Sequence, residues 1–122
     1  ETPVFRIDLP ETGLYRVGLA VGDATYDDTG RIRLADNGTA FVDFSYSTVE
    51  PATPFADIGN NLLSAAAWPG SQVFIDKVFS STLFEVLLGQ AGTTAANGGA
   101  VVHVSLEKLA EGSSTLALLG AG

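Results

Sequence analysis

The chain reads as an all-β fold, a single-domain antiparallel β-sandwich of about seven or eight strands with minimal helix. Two observations carry this. Apolar residues alternate with polar or small ones in three separate stretches. Phe5, Ile7 and Leu9 flank Arg6 and Asp8; Tyr15, Val17, Leu19 and Val21 flank Arg16, Gly18 and Ala20; Val102, Val104 and Leu106 flank His103, Ser105 and Glu107. A period of two puts one face in a core and the other in water. Turn signals also punctuate the chain at the short intervals a sandwich needs.

Residues 4–9 form the first predicted strand, ended by the turn sequence Pro10, Glu11, Thr12, Gly13. The second strand covers 14–21 and is the best patterned. Residues 22–30 read as a polar loop and 31–35 as a short strand. Asp36, Asn37 and Gly38 signal a tight hairpin, because Asn-Gly supplies the positive φ angles of a type I′ turn. The strand returns over 39–48, with Val42, Phe44 and Tyr46 on one face. Residues 49–70 are broken by Pro51, Pro54 and Pro69, and 60–67 read as a helical turn or two. Residues 72–79 and 82–88 read as strands joined by Ser80 and Ser81. A Gly-, Thr- and Ala-rich loop over 89–99 leads into the last strand, 100–109. The domain is therefore placed at 1–109, followed by an apolar C-terminal arm or last strand at 110–122.

Composition narrows the function classes. The 122 residues are enough to bury a two-sheet core, and cysteine is absent, which removes disulfides, thiolate nucleophiles and cysteine metal sites. Fourteen acidic residues outweigh six scattered basic ones, for a net charge of -8. No basic stripe can track phosphates, so nucleic acid is not an expected partner. No run reaches the roughly 18 apolar residues needed to span a bilayer. The chain opens at Glu1 rather than Met, which points to processing or to a trimmed chain.

No motif for catalysis is found, and the expectation is a non-enzyme. His103 is the single histidine and shares a strand face with Ser105 and Glu107. Residues two apart on a strand stand about 6.6 to 7 Å apart, too far for a direct relay, so His103 reads as a surface or interface residue. Asp23, Asp27 and Asp28 crowd one loop, and clustered hard oxygen ligands suit a structural calcium ion, although the spacing fits no EF-hand and solvated turn formers are the plainer reading. Trp68 and Tyr26 are the flat aromatic residues placed to stack a sugar, with a core plug as the plainer role of Trp68. Tyr15 and Tyr46 read as core. Asn37-Gly38-Thr39 matches a glycosylation sequon, and the hairpin explains it without a glycan. Leu116, Leu118 and Leu119 form an apolar segment suited to an arm that adds to a neighbouring sheet. With 46% apolar and only 16% charged residues, the composition fits a chain that buries surface in an assembly.

Three resemblances follow from these residues. Residues 13–23 are similar to the "G-x-Y-x-V-x-L-x-x-G-D" strand of galactose-binding-like, jelly-roll-type sandwiches and carbohydrate-binding modules. Residues 78–89 and 101–109 resemble the paired late strands of that fold. This likeness implies a glycan ligand and a structural calcium ion. Residues 15–24, 65–69 and 78–84 together look like small β-sandwich proteins of bacteriophage virions, which decorate capsids or belong to tails and fibres. That resemblance implies a structural role on the virion surface, with another copy or another virion protein as partner. The alternative it leaves is a carbohydrate-binding module of a secreted bacterial protein. Residues 114–122 also resemble the middle of a bacterial sorting signal, without its Pro-Glu-Pro motif, long helix or terminal basic cluster.

Overall fold

The computed structural model describes residues 4–89 and 101–110. These form two antiparallel sheets built from nine strands and one turn of helix. The strands are β1 (Val4–Asp8), β2 (Gly13–Gly22), β3 (Asp28–Asp36), β4 (Thr39–Thr48), β5 (Phe55–Asp57), β6 (Leu62–Leu63), β7 (Ile75–Phe79), β8 (Leu83–Gly89) and β9 (Val101–Lys108); the helix α1 spans Trp68–Ser71. The first sheet runs β1-β8-β3-β4, and the second runs β6-β5-β2-β7 with β9 on the other edge of β2. The β-sandwich expected from the alternation is the fold observed. The described residues contain no helix long and apolar enough to cross a membrane.

The core lies between the sheets. Tyr15, Val17, Leu19 and Val21 of β2 meet Ile32, Leu34, Tyr46, Phe84 and Val86 of the first sheet. Phe79 is the hub of this layer, with Tyr15, Phe41 and Phe84 edge-on to its ring at centroid distances of 5.5, 5.4 and 5.5 Å. Such geometry sets the positive edge of one ring against the negative face of the next. Tyr15 and Tyr46 are buried as their alternation required. The Tyr15 hydroxyl donates to the Glu11 carbonyl at 2.7 Å, which pins the turn between β1 and β2.

Several local expectations are corrected. The loop after β2 is shorter than 22–30, because Asp28, Thr29 and Gly30 already pair with Thr48, Ser47 and Tyr46. Residues 60–67 are not helical: Asp57 organises a turn, Leu62 and Leu63 pair with β5, and the one helical turn comes at Trp68–Ser71. The seventh strand starts at Ile75 rather than at 72. Ser80 and Ser81 do not close a hairpin, since β7 belongs to the second sheet and β8 to the first. They turn a corner between sheets, held by Asp36. Val102 is 49% exposed and not in the core. A bulge opposite Ala20 and Val21 shifts the phase of β9, so Val101 packs inward with Val104 and Leu106. The Asn37-Gly38 turn forms as expected, with φ of 47° and 90°.

Candidate functional site

The sequence-predicted residues fall in three separate places. The first is the acidic loop between β2 and β3. Asp23 Oδ1 accepts the Thr25 and Tyr26 amides at 2.7 and 3.2 Å, a local aspartate turn. Asp27 Oδ1 accepts the Glu50 amide at 3.0 Å, and Asp28 Oδ2 accepts the Tyr46 hydroxyl at 3.0 Å. Each carboxylate therefore ties down a different piece of backbone or side chain. Among the described residues no group of three or more His, Asp or Glu side chains stands close enough together to hold a metal ion. Tyr26 projects from this loop with 71% of its surface exposed.

The second place is the outer face of the second sheet. Arg16, Gly18, Ala20 and Gly22 project outward from β2, opposite Glu107, Ser105 and His103 on β9 and beside Phe55 and Asp57 on β5. Trp68 and Phe74, beyond β6, lie over this face. Trp68 is wedged between Phe55 and His103, at ring centroid distances of 6.2 and 5.1 Å. Its Nε1 and the Gln72 Oε1 are buried without a hydrogen-bond partner among the described residues. A Cβ on Gly18 would stand 2.5 Å from Ser105 Oγ and 2.8 Å from the Phe74 ring, so a larger residue there would have to push both side chains back. Ala20 is thus fully buried although it points away from the core between the sheets. The expectation of one wet face fails over this half of β2, because its outward residues are small enough to be roofed.

Asp57 holds the roof. It is completely buried, and its carboxylate accepts the Gly59, Asn61 and Val73 amides at 3.0, 3.0 and 2.9 Å, with the Asn61 side-chain amide at 3.1 Å. The Val73 bond spans sixteen residues and fixes the end of the excursion to β5. Farther along the same face, Arg16 pairs with Asp76 at 3.4 Å. His103 sits on the exposed side of β9, as expected for a surface residue, with the Trp68 ring as its neighbour.

The third place is the set of sheet edges. The strand β4 lies next to β5, where the Asn60 side-chain amide donates to the Ser45 carbonyl at 3.1 Å. The strand orders leave β1 and β4 as the edges of the first sheet and β6, β7 and β9 as those of the second, among the described residues. On β1, Ile7 reaches the core while Phe5, on the same face, is 53% exposed. Leu116, Leu118 and Leu119, the arm residues, lie outside the described residues. The composition of β1 was legible in the sequence; its position on an edge was not, because that depends on β8 pairing with it from about eighty residues away.

Comparison with family models, with curated proteins and with solved structures returns no match. The fold itself defines the class: a small antiparallel β-sandwich whose second sheet carries a folded-back aromatic cover.

Proposed function

We propose that this chain is a non-catalytic structural module that assembles through its sheet edges and its C-terminal segment, as a component of a bacteriophage virion that decorates a capsid or accompanies a tail. The observation that carries the assembly reading is the β1 edge, which no other strand among the described residues covers and where Phe5 is more than half exposed. A large apolar ring left on an edge strand is a liability in a solitary sandwich and an asset in an assembled one. The wedging of Trp68 between Phe55 and His103 supports packing as its role. The spread of His103, Ser105 and Glu107 along one strand supports a non-catalytic face.

The test is the solution mass of the full chain and of a version ending at Leu109. Assembly predicts a multiple of the chain mass for the full chain, and loss of subunits on truncation marks the C-terminal segment as part of the contact. A single-chain mass for both overturns the reading. A second reading, saccharide binding by a secreted module, is favoured by two exposed rings, Tyr26 at 71% and Phe74 at 46%. Glycan binding that disappears in Tyr26→Ala or Phe74→Ala would support it.

A further inference from the structure

We infer that the β1 edge is a self-complementary dimerisation strand, which pairs antiparallel with β1 of a second copy so that Arg6 of each chain faces Asp8 of the other. This deepens the assembly reading and rests on it, by naming the contact and its register.

The backbone comes first. The Leu9 amide donates to the Thr82 carbonyl at 2.8 Å, continuing the register in which Asp8 faces Leu83. Antiparallel pairs alternate, so Ile7 and Phe5 also turn their amides and carbonyls toward β8. Val4, Arg6 and Asp8 then turn theirs toward the open edge. A second β1 must bring the same outward-pointing residues opposite these, which leaves three two-fold registers with an overlap of three residues or more. One sets Arg6 against Arg6, placing two cations directly across from each other, an unfavourable cross-strand pair. Another sets Val4 against Arg6, an uncharged residue across from each cation, and overlaps three residues of each strand, as the remaining register also does within β1. The third sets Arg6 against Asp8 twice, with Ile7 on the two-fold axis and Phe5 opposite Leu9. Charge thus selects the register, and the contact is isologous, as a two-fold requires.

The side chains are accessible to it. Arg6 pairs with Glu85 at 3.5 Å yet keeps 68% of its side chain exposed, and Asp8 is exposed. The pairing would cover Phe5 and extend the row of Phe5, Ile7 and Leu9 into its counterpart. Among the other described edges, β4 carries a bulge opposite Leu34 and Ala35 and is bonded by Asn60, β6 has two residues, and β9 carries a bulge near Val101. The remaining edge, β7, is also unbroken over five residues, but its charged residues Asp76 and Lys77 are already paired with Arg16 and Asp36. The β1 register runs unbroken over all five residues.

The experiment measures the mass of the full chain by sedimentation velocity, with Arg6→Asp and Asp8→Arg made separately. The native chain should sediment as a two-chain unit, and each variant alone as a single chain, since each then sets like charges across the axis. An equimolar mixture of the two variants should regain the two-chain mass. The first variant is acidic at both positions and the second basic at both, so every cross-strand pair between them joins opposite charges. Arg6→Pro, which removes an outward amide without touching the β8 ladder, should also give single chains. An Arg6→Asp chain that keeps the native mass, or a mixture that stays single, overturns this contact. If truncation after Leu109 dissociates the assembly and the β1 variants do not, the edge is wrong and the broader assembly reading stands. If the native chain is single throughout, both fall.

Discussion

Two buried aspartates do different work from the acidic residues around them. Asp36 ends β3, and its carboxylate accepts the Ser80 amide and hydroxyl at 2.9 and 3.0 Å and the Ser81 amide at 3.2 Å. Burial pushes its pKa up, but the hydrogen bonds from Ser80 and Ser81 more than reverse this and hold it below the ordinary carboxylate value. A depressed folded-state pKa binds fewer protons than the unfolded chain, so this stability is complete above the ordinary value and lost as pH falls through the folded one. Asp36→Asn should therefore flatten the acid limb of a stability-against-pH curve, measured by urea unfolding, while the native chain weakens steeply below about pH 4. In the sequence Asp36 was visible only as a turn former, because its partners lie 44 and 45 residues away. Asp57 was not singled out at all. Replacing it by alanine strands three amides and should cost about 2 to 3 kcal/mol. Trp68 is the single tryptophan, so its emission should shift to longer wavelength as the cover loosens. An unchanged spectrum would mean that Asp57 does not hold the roof.

At the scale of elements, β2 shows how far a period of two can be read. Its inward residues were legible because Tyr15, Val17, Leu19 and Val21 are large and apolar and can only face a core. Its outward residues were ambiguous: Gly18, Ala20 and Gly22 are as consistent with solvent as with a neighbour at close range. The structure resolves this with Phe74 over Gly18 and Trp68 spanning from Phe55 to His103. Gly18→Val should cost about 1 to 3 kcal/mol, since the added carbons must push back Ser105 and Phe74. Thermal unfolding reads this cost, and an unchanged melting temperature would contradict the close approach. Bulges account for what alternation alone does not place. A single extra residue in β9 turns Val102 outward, and one in β4 lets Phe41 join Val42, Phe44 and Tyr46 against the core, beside Phe79 and Phe84. Strict alternation carries no mark of such an insertion.

For the whole molecule, the class of fold was readable from strand pattern and turn spacing, but the arrangement of the sheets was not. Which strands become edges depends on pairings across the chain, such as β1 with β8 and β2 with β9. The apolar composition hinted at an assembly; the strand order together with the exposed Phe5 and the Arg6 and Asp8 charges points to β1 as the place. In the proposed dimer the outward amides of β1 are filled by a second copy, and amide hydrogen exchange over a concentration series tests this most directly. Phe5 and Ile7, bonded to β8, should be protected at every concentration. The amides of Arg6 and Asp8 should gain protection as concentration rises, and both positions should lose it in either charge-reversal variant. Arg6 and Asp8 amides that exchange rapidly at the highest concentration would contradict it.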